Sequence, residues 1–98
     1  MSEPSHFAVV REHGPGWDQS RPLEHQHGWK EHARFMNGLA REGFIRLGGP
    51  LDDGRVLLIC RARDEQEVWT RLSADPWPAR MLSIASVRRW TILLEEGA

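Results

Sequence analysis

The chain has 98 residues, 28% charged and 40% hydrophobic, with a formal net charge of −1, and this bounds it to one small domain over 1–98 with a thin core. A lone cysteine, Cys60, excludes an intramolecular disulfide and a cysteine-rich zinc module, and 13 basic residues against 14 acidic ones give no global attraction to phosphate backbones. No apolar run approaches the ~20 residues of a membrane span, and Met1-Ser2-Glu3-Pro4-Ser5-His6 lacks the charged-then-apolar order of a signal peptide, so a cytoplasmic protein with neither nucleic acid nor membrane as partner is expected.

His6 to Arg11 is short and partly β-branched and precedes the turn cluster Gly14-Pro15-Gly16, which predicts a first strand. Glu12 to Pro22 carries no apolar periodicity and reads as a loop of about ten residues, longer than most connections. From Leu23 to Arg41 there is no proline, and Trp29, Ala33, Met36, Leu39 and Ala40 recur at the three-and-four spacing of one helical stripe. Gly43 then stands where a left-handed cap closes a helix. Phe44 to Pro50 predicts a second strand, and Asp53-Gly54 a tight turn into a third. Arg55 to Ala62 is almost continuously apolar, the pattern of a central strand, with Cys60 as a small core residue.

Asp64 followed by Glu67 is a capping signature, after which Val68, Trp69 and Leu72 mark the buried side of a second helix. Pro76 and Pro78 interrupt the chain around Asp75 and Trp77, with a short helical turn expected over 79–82. Ser83 to Glu95 predicts a long fourth strand. The order β-α-β-β-α-β, with right-handed crossovers, folds into an α+β ferredoxin-like plait: a four-stranded antiparallel sheet with both helices on one face. The other face then needs cover, which a second copy of the chain supplies as a homodimer.

His32 lies three residues after Trp29 and four before Met36, on the stripe that faces the sheet. An inward histidine needs a partner, and two readings are open: a structural histidine satisfied by a backbone carbonyl, or a general acid/base. Asp52, Asp53 and Asp75 are the carboxylates that could orient it. The first two read as turn formers, whereas Pro76 holds Asp75 out of a continuing helix, where it is either an orienting group or a cap. His25, His27 and His32 form a histidine string, but residues two apart on a helix point ~200° apart, so no metal site is expected. Arg88 and Arg89, adjacent on a strand, point to opposite faces.

Four segments together resemble the YciI-like (YCII-related) family of the dimeric α/β-barrel superfamily. They are Glu31-His32-Ala33-Arg34-Phe35-Met36-Asn37-Gly38-Leu39, Glu42 through Leu51, the Asp64-Glu65-Gln66-Glu67 helix start, and Ala74-Asp75-Pro76-Trp77; Val87 through Leu93 adds to them. The resemblance implies a ferredoxin-like protomer dimerising through its sheet as a dimeric α/β barrel, with a His32/Asp75 site near the first helix. It also implies acid/base chemistry, including elimination from chlorinated hydroxylated aromatics. Trp77 stands where that family often has Phe or Tyr.

The expectation is a small enzyme, a lyase or isomerase, that uses His32 as general base or acid, oriented by Asp75, on a small cyclic or aromatic substrate. The binding pocket is expected from Trp29, Met36, Trp77 and the backbone at Gly49 and Pro50, with no cofactor, since no redox-cofactor motif is present. The alternative is a non-catalytic ligand-binding or accessory dimerisation module of the same fold.

Overall fold

A computed structural model describes residues 4–97. Strand β1 (Ser5–His13) leads through a 3-10 turn at Leu23–His25 to helix α1 (Trp29–Arg41), strands β2 (Ile45–Pro50) and β3 (Val56–Ala62), helix α2 (Glu65–Leu72) and strand β4 (Leu82–Trp90). The four strands form one sheet in the order β2-β3-β1-β4, every neighbouring pair antiparallel. This α+β arrangement is compatible with a ferredoxin-like fold.

Alternation along β1 decides which face is buried. Phe7, Val9 and Arg11 are each buried, opposite Cys60, Leu58 and Val56 of β3, and Val9 also faces Val87 of β4. Leu39 of α1 and Val68 and Leu72 of α2 pack into this same cluster, so both helices cover one face. The opposite face carries Ala8, Val10, Leu57 and Ile59, with Leu47 beside Ile59 left 69% exposed. Arg88 pairs with Ala8 on that face, and Arg89 with Phe7 on the helix side, as strand alternation requires.

Helix α1 ends as the glycine signal predicts. Gly43 adopts φ 86°, and the Gly43 and Phe44 amides donate to the carbonyls of Ala40 and Leu39, which satisfies two otherwise orphaned acceptors. At α2, the Asp64 carboxylate accepts from the Glu67 amide at 2.8 Å, while Glu67 reaches back to the Arg63 amide.

Several boundaries and one burial assignment differ from the sequence expectation. The first helix is not continuous from Leu23: Gly28 takes φ 80°, a left-handed conformation that breaks the helical path before Trp29. Buried Gln26 fills the break and donates to the carbonyls of Asp18 and Arg21, fastening the preceding loop. β1 runs two residues further than Arg11, and β4 stops at Trp90, leaving 91–95 outside any strand. Residues 79–81 form a hydrogen-bonded turn rather than a helix. Trp69 is 38% exposed because it lies ~100° around the helix from buried Val68.

Candidate active site

Asp75 is placed by the end of α2, where its amide donates to the Leu72 carbonyl, and Pro76 then turns the chain away. One carboxylate oxygen, Oδ1, accepts from the Trp77 amide at 2.9 Å in a local turn that also fixes the indole. The same oxygen lies 2.8 Å from His32 Nδ1 on α1. The other, Oδ2, accepts from Arg11 Nη1 on β1 at 2.8 Å, and Arg11 Nη2 donates to the Leu82 carbonyl at the start of β4. One carboxylate thereby joins β1, α1 and the α2–β4 connection. Arg11 and Asp75 side chains are each 2% exposed, and that of His32 8%.

Burial alone pushes the Asp75 carboxyl up. Hydrogen bonds from His32, the Trp77 amide and Arg11, with the charge interaction with His32, outweigh it and hold the group below its ordinary value. The ionised carboxylate only accepts, so Nδ1 of His32 carries the hydrogen and the lone pair of the neutral ring is on Nε2. Nε2 has no protein hydrogen bond among the described residues.

Aromatic rings confine the imidazole. Trp77 stacks on His32 at 3.9 Å with an interplanar angle of 11°, and Trp29 lies tilted at 5.9 Å. Trp77 is itself held by an Nε1 hydrogen bond to the His27 carbonyl at 2.7 Å. Its approach to Gly28 is so close that a Cβ there would stand 3.0 Å from Nε1. From the loop that follows β1, Trp17 meets Trp77 edge-on at 5.5 Å, and His13 at the end of β1 stacks on Trp17 at 3.8 Å. Burial pushes the His13 imidazole below its ordinary value.

These rings border a cavity of about 540 Å³, within the range that holds small-molecule ligands. His32, Trp29, Met36, Gly49, Pro50 and Trp77 all stand on its wall, and Asp75 sits behind His32, off the wall. Asp53 instead accepts from Arg55 in the β2–β3 turn and is not part of the site. His25 and His27 are exposed, and among the described residues no three His, Cys, Asp or Glu side chains converge. Cys60 is fully buried in the core, where loss of solvation pushes its thiol up to about 11 despite the opposing charge of Arg11.

Sequence reasoning missed Arg11, His13 and the contact made by Trp17. A period-two signal for Arg11 exists, since it continues the inward series Phe7, Val9 on β1. Compared with family models, curated proteins and solved structures, the chain shows no match.

Proposed function

We propose that this protein is a small enzyme of acid/base chemistry, with His32 Nε2 as the group that takes up or delivers the proton. The carrying observation is the 2.8 Å contact of Asp75 with His32 Nδ1 while His32 borders the cavity. Asp75 fixes the tautomer and stabilises the imidazolium that forms, and Arg11 keeps the carboxylate in place. Such a histidine contributes ~10²–10⁴-fold, enough for isomerisation, elimination or dehydration of an activated substrate. A small cyclic or aromatic substrate suits walls made of Trp29, Met36 and Trp77 together with Gly49 and Pro50. No described helix is long and apolar enough to cross a bilayer.

The YciI-like resemblance and a cytoplasmic location belong to the same proposal, as does a homodimer through the open sheet face. A second copy would cover Leu47, Val10 and Leu57, and interfaces of this obligate kind bury more than ~2,000 Å². A monomer by sedimentation at micromolar concentration would remove the dimer.

Enzyme-catalysed deuterium uptake from D₂O into ring lactones and cyclic ketones tests the chemistry. Uptake should fall at least ~10²-fold in His32→Gln with circular dichroism unchanged. Equal uptake in both proteins would leave the second reading, a ligand-binding module. That reading is favoured by the way Asp75 fastens three elements of the fold together.

A further inference from the structure

We infer that His13 is a second catalytic group of the same cavity. Its imidazole N–H donates to the carbonyl oxygen of an enolisable ring ketone or lactone while His32 Nε2 takes the adjacent proton; this rests on the acid/base reading of the site and names its substrate class. Strand β1 alternates to its end: Phe7, Val9 and Arg11 face the helices, and His13 is the next residue of that series. Val56 of β3, opposite Arg11, lies on the same face, and Arg11, His13 and Val56 all border the cavity. The His13 ring stacks on Trp17 at 3.8 Å with an interplanar angle of 5°. Its Cε1 edge lies against Gly54, where a Cβ would stand 3.5 Å away. Trp17 and Gly54 are themselves on the wall, so the ring is held between two parts of the cavity lining.

Hydrogen bonding supplies a second observation. Neither ring nitrogen of His13 has a partner among the described residues, and neither is enclosed, because Arg11 Nε is the one described side-chain atom both buried and unpartnered. A ligand can therefore reach them. Burial pushes the imidazole below its ordinary value, so at pH 7 the ring is neutral and carries one N–H. His32 has Asp75 at 2.8 Å to stabilise an imidazolium, whereas no described carboxylate forms an ion pair with His13. The two histidines thus divide the work: the one backed by a carboxylate accepts the proton, and the other serves as a neutral donor. As His32 removes the proton, the C–H electron pair enters a new C=C bond and the carbonyl π pair moves to oxygen, where the His13 N–H meets the developing charge. The His32 imidazolium exchanges with solvent and returns a proton to carbon, so no oxidant or co-reactant is required.

Deuterium uptake into 1-indanone in D₂O, with the infrared carbonyl stretch of the bound ketone, tests this on the full chain. His13→Phe keeps a flat ring against Trp17 and removes both nitrogens. Loss of one donor to a developing oxyanion costs ~10²–10³-fold, so uptake should fall by about that factor with circular dichroism unchanged. His13→Gln restores an N–H and should recover part of the loss. The carbonyl stretch should lie lower in the native protein and in His32→Gln than in His13→Phe, because the donor polarises the bond whether or not the base is present. Uptake that depends on His32 but not on His13 would overturn this inference and leave the acid/base reading standing. A stretch unmoved by His13→Phe would also overturn it. No uptake by the native protein, or uptake indifferent to both histidines, would remove both claims.

Discussion

Arg11 and Asp75, 64 residues apart in sequence, form a buried ion pair at 2.8 Å on the carboxylate oxygen that His32 does not touch. Arg11 offsets part of the hydration that Asp75 loses on burial, beside the His32 and Trp77 amide hydrogen bonds to the other oxygen. Arg11→Met should therefore cost ~1.5–3 kcal/mol in urea unfolding, because it removes a charge-assisted hydrogen bond from a buried carboxylate. The double variant Arg11→Met/Asp75→Asn should recover part of that loss. A cost below ~1 kcal/mol for Arg11→Met would mean that the pair is solvated.

Acid lability should carry the signature of Asp75. Its folded-state carboxyl is held below the ordinary ~3.9, so its contribution is fully present above the unfolded value and is lost as pH falls from there through the folded value. Each unit of depression corresponds to ~1.4 kcal/mol. In Asp75→Asn the stability curve should be flatter below about pH 4, whatever its absolute level. Parallel curves for the two proteins in that range would contradict the assignment.

The Cys60 thiol, raised to about 11 and fully buried, should resist alkylation by iodoacetamide at pH 8 in the native protein and react readily in denaturant. Rapid native-state labelling would place Cys60 in a reactive setting that the core packing does not provide.

Gly28→Ala joins two costs, a side chain at φ 80° and a Cβ 3.0 Å from Trp77 Nε1. A loss of more than ~1 kcal/mol is expected, together with altered tryptophan fluorescence, because the indole that stacks on His32 must shift. Unchanged stability and emission would show that Gly28 is not required there.

Much of the fold is legible in local patterns. Gly43 and Asp64 bound their helices as their capping chemistry predicts, and Asp53-Gly54 turns β2 into β3. His32 is found on an apolar stripe and Asp75 beside a proline, and the fold brings them together. The helix start is obscured because a glycine inside a proline-free periodic stretch gives no sign of adopting positive φ. Arg11 is hard to see because an arginine ending a short strand looks like its solvated edge, although alternation from Phe7 and Val9 points it inward and the register with β3 places it opposite Val56. Trp17 lies in a loop without periodicity, so its meeting with Trp77 depends on tertiary packing alone.

The ¹⁵N resonances of the His32 imidazole report which ring nitrogen carries the hydrogen. In the neutral ring the hydrogen should be on Nδ1 with Nε2 unprotonated, and Asp75→Asn should redistribute the two tautomers. A neutral ring with its hydrogen on Nε2, or a tautomer balance indifferent to Asp75, would contradict the pairing of His32 with Asp75.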